Sequence, residues 1–315
     1  MLEGSSGPVA GMGPGSDGRG LDTWQGGAGG DVLAGYTFTT DAQLLSAVDG
    51  PLATMAAQAM VAPAGDFGAV LAAYETPFVA DVSVASLQVG ADELTQPLAA
   101  ATAGYWGNRA FGDTFVRMAI GGTGNFSAAD DWNYLARREL LTKAAAYQVI
   151  RGNVISRLRL GVDRCLRGDA AGGVYQWEAA WALFTGSLEG PDGSGSGKSV
   201  YALGDKRCSQ FGVCVAGPDT NARNNVEVLG AVQAGVAAFS AGDCFGALAQ
   251  VDVIKAQSLI PILQGLVREA WEVDPAGGAQ SADGTIEIAE GWAFSAAALP
   301  EPALCSDGGA ATVLS

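Results

Sequence analysis

The sequence predicts a mainly α-helical protein: one helical domain with an internal duplication, preceded by a disordered Gly-rich leader. Two observations indicate helices. Apolar residues recur every three or four positions over most of the chain, and strand-like alternation is scarce. The third observation is a segment that occurs twice. It runs from Phe126 to Phe184 and returns, more loosely, from Phe239 to Phe294.

The two copies keep a nearly constant spacing. Phe239 follows Phe126 by 113 residues (239 minus 126), and Trp292 follows Trp181 by 111 (292 minus 181). Each copy reads as an apolar helix that ends in Val-Asp, a Gly-rich turn, and a second helix that carries the Trp. This period is too long for one solenoid turn, so we predict a duplicated subdomain with copies near 126–187 and 239–298.

The amino-terminal part begins with residues 1–30, which contain Gly-Pro, Gly-Ser and Gly-Gly pairs and almost no apolar periodicity. Such a segment cannot offset its ordering entropy by burial, so we predict a flexible leader before a helical domain covering 31–315. Thr39-Thr40-Asp41 then supplies an N-cap for the first helix, and a second helix follows Gly65-Asp66. Residues 78–112 are predicted as extended loop, with a packed turn at 104–107.

A shorter segment in this amino-terminal part is similar to the start of the second copy. Gly65-Asp66-Phe67-Gly68-Ala69 parallels Gly242-Asp243-Cys244-Phe245-Gly246-Ala247 with one insertion. We predict that Asp66 and Asp243 are N-caps of the helices that follow them.

The helical signal strengthens from Ser127 onward. Ser127 precedes Asp130 and Asp131, and acidic residues in a first helical turn are favoured by the partial positive charge at the amino end. The apolar stripe continues, as one long helix or a broken pair, to Arg167. Gly-rich turns are expected at 171–173 and 191–197, and further helices over 173–187, 198–208, 222–240, 243–272 and 285–298.

Composition and charge exclude several classes of function. The 315 residues carry 17 Lys and Arg against 33 Asp and Glu, a formal net charge of −16. A nucleic-acid partner is excluded because a phosphate-binding surface needs clustered basic residues. The lack of histidine removes the Ser/His/Asp and Cys/His arrangements and nearly every familiar zinc site. Hard cations, which bind oxygen ligands, are the partners that this charge favours.

Five cysteines and one sequence triplet bear on the compartment. Cys208 and Cys214 enclose a short loop and are predicted to form a local disulfide. Four of the five cysteines could be paired in this way. The alternative is that the cysteines are reduced and lie in the core. Asn125-Phe126-Ser127 is an acceptable glycosylation triplet, so Asn125 is a candidate acceptor. No secretory signal is visible in the first thirty residues, and no stretch is long and apolar enough to span a membrane.

A Gly-rich loop from Asp192 to Ser199 invites comparison with a phosphate-binding loop. The match fails because position 192 holds Asp where that loop needs Gly, and no buried strand precedes it. We therefore assign no phosphate site here and expect no enzymatic activity.

The same region resembles a different family. The residues that carry the resemblance are Trp181 to Gly190, Asp192 to Gly197, Tyr201-Ala202-Leu203, Lys206-Arg207-Cys208, Phe211-Gly212 and Cys214. This stretch looks like the signature region of the algal low-iron-inducible periplasmic proteins, also called iron-assimilating proteins. The likeness is dense over about 177–214 and weaker over 36–75 and the second copy.

The resemblance implies a periplasmic or extracellular protein that binds iron and assists its uptake at the cell surface, with a cell-surface iron transport system as partner. It supplies no ligand set, so we chose candidate ligands by their chemistry. Ferric iron favours carboxylate and phenolate oxygens. Tyr175 and Glu178 lie three apart on one helix, and Glu287 and Glu290 form a similar pair in the second copy.

These four residues are the predicted metal site, on the expectation that the duplicated helices pack face to face. The alternative is that they belong to solvated helix faces and N-caps. Trp177, Trp181 and Trp292 are predicted as core anchors because the apolar spacing around them is helical.

Two other classes of function remain open from sequence. The first is a secreted structural or matrix glycoprotein without metal function, suggested by the Gly-rich leader and the candidate glycan. The second is a hydrolase with two carboxylates, although no spacing in the sequence identifies such a pair. An iron titration separates the leading hypothesis from a matrix role, because only a metal binder takes up iron.

Overall fold

The computed structural model describes residues 30–89, 97–127, 132–215, 221–274 and 284–303. This part of the chain is mainly α-helical, as predicted. Apart from Gly30, the predicted leader lies outside the described residues, and so do Asp130, Asp131 and Cys305.

Helices dominate the order of elements. A hairpin of two short antiparallel strands, β1 and β2, precedes a 3-10 helix and then the α-helices; a π-helix joins α5 to α6. The strands are Val32–Leu33 and Tyr36–Thr37, and the 3-10 helix is Asp41–Val48. The helices are α1 Asp49–Gln58, α2 Phe67–Glu75, α3 Pro97–Trp106, α4 Phe111–Gly121, α5 Tyr134–Ala144, the π-helix Ala145–Ile150, α6 Arg151–Leu166, α7 Ala170–Thr185, α8 Val200–Phe211, α9 Arg223–Ser240, α10 Cys244–Val273, α11 Thr285–Ala298 and α12 Pro300–Ala303.

A Gly-Asp turn recurs at the start of three helices. In each, a glycine with positive φ precedes an Asp whose carboxylate accepts a hydrogen bond from the backbone N–H three residues on, which satisfies one free donor of the first helical turn. The capping residues are Asp66, Asp169 and Asp243. The predicted N-caps Asp66 and Asp243 are thus confirmed, and Thr40 caps the first 3-10 helix.

The predicted long helix is present, but it begins later than predicted. Asn133 is its N-cap and accepts hydrogen bonds from the N–H groups of Leu135 and Ala136, so the cap is not Ser127. The helix then continues through the π-helix to Leu166, where Arg167, Gly168 and Asp169 form the turn into α7.

The Gly-rich segment 171–173 is helical, which corrects the predicted turn. Gly173 lies inside α7, where its carbonyl oxygen would be 2.9 Å from a Cβ added to Gly161 of α6. Both glycines therefore allow the two helices to approach closely. Tertiary packing decides their role, because glycine in sequence signals a turn and a close helix crossing equally well.

The segment 78–112 also departs from the prediction. It contains α3 and the first turn of α4, and the predicted turn at 104–107 falls at the end of α3. The sequence of α3 is rich in Ala without helical periodicity, so its apolar pattern gave no signal.

The two predicted copies contain helices in the same order. Residues 126–187 hold the long helix and α7, and 239–298 hold α10 and α11. Their environments differ, however. Trp181 is buried with 1% exposure, whereas its counterpart Trp292 keeps 36%, so the core-anchor prediction is wrong for Trp292.

The core is centred on α7. Trp177 and Trp181 are both buried, as predicted. Each indole N–H reaches a backbone carbonyl: Trp177 donates to Leu158 at 2.9 Å and Trp181 to Leu33 at 3.1 Å. A large aromatic side chain thus enters the core without leaving a buried polar atom unpaired.

Two disulfides lie within the described residues. Cys208 and Cys214 are bonded to each other, as predicted, with 4.7 Å between their Cα atoms. A second bond joins Cys165, near the end of α6, to Cys244, the first residue of α10. It ties the two predicted copies together at one end.

The contact between α7 and α9 depends on the lack of a side chain at Gly235. A Cβ there would lie 1.9 Å from the Trp177 ring. We expect Gly235→Ala to lower the free energy of unfolding by roughly 1 to 3 kcal/mol through overpacking. Chemical denaturation measures the change.

The control is Gly230→Ala on the same helix, where an added Cβ meets nothing within 4 Å. This change should be neutral or stabilise by up to about 1 kcal/mol through helix propensity. Equal destabilisation by both substitutions would contradict the packing described here.

Candidate functional site

Glu178 is a completely buried carboxylate on α7. Its Oε1 accepts hydrogen bonds from the Tyr36 hydroxyl at 3.0 Å and from the Thr39 N–H and hydroxyl, both at 2.7 Å. Its Oε2 accepts from the Thr40 N–H at 2.8 Å and the Thr40 hydroxyl at 2.5 Å. The segment between β2 and the first 3-10 helix therefore closes around this side chain.

This arrangement leaves Glu178 no room for an ion. A carboxylate has about four lone-pair directions, and five donors already occupy them. Burial and the adjacent Glu178 charge raise the pKa of Tyr36, which keeps this phenol protonated as a donor. Glu178 is a structural anchor, so the structure does not fit its predicted role as a metal ligand.

Two further buried carboxylates, Asp49 and Glu189, hold the Gly-rich loop from Asp192 to Ser199. Asp49 accepts hydrogen bonds from the N–H groups of Leu188 and Lys198, each at 2.8 Å, and Glu189 accepts from Gly197 at 2.9 Å. The loop thus directs its backbone donors at carboxylates of its own chain. This explains physically why the phosphate-loop interpretation fails.

Glu290, a second predicted ligand, belongs to a network of charged residues between α5, α8, α10 and α11. Lys143 forms ion pairs with Glu290, at 2.8 Å, and with Glu139. Arg207 pairs with Glu269 at 2.9 Å, and both of these side chains are almost fully buried. We call this set the charge network: Glu139, Lys143, Arg207, Arg268, Glu269, Glu272 and Glu290.

Carboxylates in the charge network also contact one another. Burial, then Glu290, raises the pKa of Glu269 to about 8, although Arg207 acts in the opposite direction. Burial alone would raise the pKa of Glu290 as well, but Lys143 and hydrogen bonds from its neighbours lower it to about 2. The two carboxylates thus act on each other in opposite directions, since Glu290 raises the pKa of Glu269 and the hydrogen bond with Glu269 lowers that of Glu290.

Every carboxylate of the charge network has a cationic partner within the protein, which argues against a cation site. Lys143 pairs with Glu139 and Glu290, Arg207 pairs with Glu269, and Arg268 pairs with Glu272. A metal ion would have to displace these cationic partners.

The four predicted metal ligands do not form one site. Glu178 is bound by the amino-terminal segment and Glu290 by Lys143; Tyr175 is half-buried on α7, and Glu287 is buried with 4% exposure on α11. The described residues contain no group of three or more Asp, Glu, Cys or His side chains placed to hold a metal ion.

Sequence reasoning missed Asp49, Lys143 and Glu269. A signal did exist for Lys143, which follows Glu139 by four residues within an apolar helix, a spacing typical of an ion pair. Glu269 had no such signal, because its cationic partner Arg207 lies on another helix. Asn125 is exposed in a short 3-10 turn, and its role as a glycan acceptor stays a prediction.

Comparisons with protein-family models, curated proteins and solved structures find no match for this chain. The resemblance to the iron-assimilating proteins therefore stays a prediction. In the part of the chain that the structure describes, none of the helices has the length and apolar character needed to cross a bilayer.

Loss of the Glu178 charge should destabilise the protein. We expect Glu178→Gln to lower the free energy of unfolding by roughly 3 kcal/mol, because the amide nitrogen would face donors that then lack an acceptor. The exposed Glu227 offers a matched control, and Glu227→Gln should change stability by less than about 0.5 kcal/mol. Denaturant unfolding of both variants tests this, and an unchanged Glu178→Gln midpoint would contradict it.

Stability should also depend on pH through Glu189 and Glu269. Burial raises the pKa of Glu189 to about 7, and that of Glu269 is about 8. A carboxyl whose folded pKa is raised contributes stability below its unfolded pKa of about 4.3 and loses it as pH rises through the folded value. We therefore expect the free energy of unfolding to fall by a few kcal/mol between pH 5 and pH 8.5.

Thermal unfolding of the Glu189→Gln, Glu269→Gln double variant provides the control. Neither amide ionises in this range, so its melting temperature should vary less with pH than that of the unmodified protein. An equally steep pH dependence in the double variant would assign the effect to other groups.

Proposed function

We propose that this protein works in an oxidising compartment outside the cytoplasm and concentrates iron near the cell surface, as the resemblance to the iron-assimilating proteins implies. The iron is cargo held by surface carboxylates rather than by a resident ligand set. The observation that carries the proposal is the contrast between buried carboxylates, which have partners inside the protein, and the many carboxylates that the described residues expose to solvent.

The disulfides support the compartment. Cys165–Cys244 and Cys208–Cys214 close within the described residues, and such bonds persist in oxidising environments. Both bonds fix helix ends, which is a structural use of cysteine. The exposed Asn125 is compatible with the same location.

The distribution of charge supports loose cation binding. The carboxylates of the charge network pair with cations of the protein, and Glu178 is saturated by hydrogen bonds, so neither is available to a metal ion. Exposed carboxylates are spread over the described chain. Glu75, Asp163, Asp169 and Asp252 pair with arginines, and the others are Asp31, Asp66, Asp81, Asp192, Glu227, Asp243 and Asp274. Such a field raises the local concentration of cations without a preformed site.

Equilibrium dialysis with ferrous iron under anaerobic conditions tests the proposal. We expect several weakly bound ions per chain at low salt, and roughly several-fold less binding at 0.2 M NaCl, because the Debye length then falls below about 10 Å. Binding should also fade below roughly pH 4 to 5 as surface carboxylates protonate.

The variant Glu178→Gln, Glu290→Gln separates this proposal from the predicted metal site. Surface binding should survive the double substitution, judged on folded protein by circular dichroism. A single, salt-insensitive ion that the double variant loses would contradict surface binding and restore the predicted ligands. No iron uptake at low salt would reject the iron function and favour the matrix glycoprotein.

A further inference from the structure

The helix α10 presents an apolar stripe to solvent along most of its length. Its members recur at alternating intervals of four and three positions, and each is exposed: Ala249, Val253, Ala256, Ile260, Leu263, Val267 and Ala270. Two apolar positions in every seven residues are the pattern of a coiled-coil seam. The side of α10 that packs on the protein is a different one and carries buried residues such as Val251, Ile254, Ser258 and Ile262. We call the exposed set the α10 stripe.

The α10 stripe and its flanks expose a large apolar area. Val267 is 60% exposed, and the flanking Phe245 and Trp271 are 72% and 57% exposed. The exposed parts of these side chains amount to roughly 600 Å² per chain, so a pair of chains would bury about 1,200 Å², the lower end of specific interfaces. A contiguous apolar patch of this size marks an interaction site, whereas single exposed apolar residues do not.

The charges beside the α10 stripe suit a second copy of the same chain. The stripe itself contains no charged residue, although the chain carries a net charge of −16. One edge holds glutamines seven residues apart, at Gln250, Gln257 and Gln264. Each amide both donates and accepts, so this row can pair with the same row on another copy. On the other edge, Asp252 pairs with Arg159 at 3.6 Å. Two acidic chains can thus meet here without facing charges of the same sign.

Side-chain size favours an antiparallel pair with its two-fold axis near position 258. Three pairs of stripe residues are then symmetric about that position, and each pair combines a smaller side chain with a larger one. The facing pairs are Ala256 with Ile260, Val253 with Leu263, and Ala249 with Val267. A parallel pair would instead set Ala256 against Ala256 and leave a gap. Antiparallel helices also bring the positive end of each helix dipole near the negative end of the other.

We propose that α10 pairs with α10 of a second copy of this chain as an antiparallel two-stranded coiled coil. The α10 stripe forms the seam and the glutamine row forms one edge. Pro261 does not interrupt the seam, because it is buried on the core side and the helix continues through it. The pairing is independent of the proposed iron function, because the seam contains no carboxylate.

Sedimentation equilibrium of the full chain tests the pairing. We expect a reversible monomer–dimer equilibrium with a Kd of roughly 1 to 100 µM, as suits a small interface. The dimer should strengthen at about 0.5 M NaCl, because salt screens the repulsion between two acidic chains. This salt dependence is opposite to that of the proposed iron binding, so the two proposals can fail separately. A monomer at every concentration would overturn the pairing.

Substitutions in the α10 stripe locate the interface. Val267→Glu should raise the Kd at least tenfold, because the dimer would bury two carboxylates in its seam. The monomer should keep its circular dichroism spectrum and melting temperature, since Val267 is mostly exposed there. The matched control is Val61→Glu, because Val61 follows α1 and is 48% exposed outside the stripe; it should leave the Kd unchanged.

A conservative variant separates loss of the seam from damage to the fold. Val267→Ile keeps a β-branched side chain in the seam and should preserve or strengthen the dimer. Ile260→Glu, close to the two-fold axis, should abolish it as Val267→Glu does. A dimer that both acidic variants retain at the original Kd would overturn α10 as the interface.

Disulfide cross-linking tests the direction of the helices. Val253→Cys and Leu263→Cys are made as separate variants in a Cys305→Ser background and then mixed under oxidising conditions. The antiparallel pair brings these two positions together, so a cross-linked dimer should form in the mixture and in neither variant alone. Cross-linking of each variant with itself would overturn the antiparallel arrangement.

A lipid surface is the competing occupant of the α10 stripe. Flotation with phosphatidylcholine vesicles tests it, and we expect no binding by the unmodified chain. A chain that stays monomeric and binds the vesicles, but loses them with Val267→Glu, would replace the second copy with a lipid surface and overturn the proposal.

Discussion

The hydrogen bonds around Glu178 are the interaction on which the arrangement of the amino-terminal half depends. A fully buried carboxylate is costly unless its charge is compensated, and here five donors from Tyr36, Thr39 and Thr40 compensate it. Those donors lie immediately before the first helices, whereas Glu178 lies in the middle of α7. Neither segment can leave its place without exposing an uncompensated charge or unpaired donors.

The same physical device recurs in the loops. Asp49 and Glu189 bind the backbone of the Gly-rich loop, and Asp205 accepts from the Ala222 N–H at 2.7 Å. A glycine-rich loop has little side-chain burial with which to offset its conformational entropy. Buried carboxylates supply fixed acceptors instead. Part of the acidity of this chain is therefore structural, and composition alone overstates the carboxylates available to a metal.

The long helix connects the two regions in which polar groups enter the core. Lys143, near the end of α5, joins the charge network, and five residues later the Gln148 amide is buried. The carboxylates of the charge network are paired within the protein, whereas the Gln148 amide has no hydrogen-bond partner. Paired buried charges favour one packing of the helices, and an unpaired buried amide carries a desolvation cost.

Local features were predictable because their causes lie within a few residues. Apolar periodicity predicted the helices near 222–240, 243–272 and 285–298. The N-cap Asp243 was predictable from its place before a helix, and the Cys208–Cys214 bond from a separation of 6 residues. The sequence did not predict helix α3, because an Ala-rich segment has no apolar periodicity that would indicate a helix. The predicted metal ligands were chosen by their spacing within single helices. Such spacing shows which residues share a helix face, but it does not show what that face contacts.

The sequence by itself thus determined the helical class, the order of most helices and the local disulfide, since these depend on short-range periodicity, capping and loop closure. Only the tertiary structure decided the partners of Glu178, which are 138 to 142 residues away, and the Cys165–Cys244 bond across 79 residues. The tertiary structure also showed that the Gly-rich segment 171–173, predicted as a turn, is part of helix α7 where it packs closely on α6. A charge or glycine in a sequence does not reveal its distant neighbours, and burial among those neighbours fixes whether it anchors the fold or remains available to a ligand.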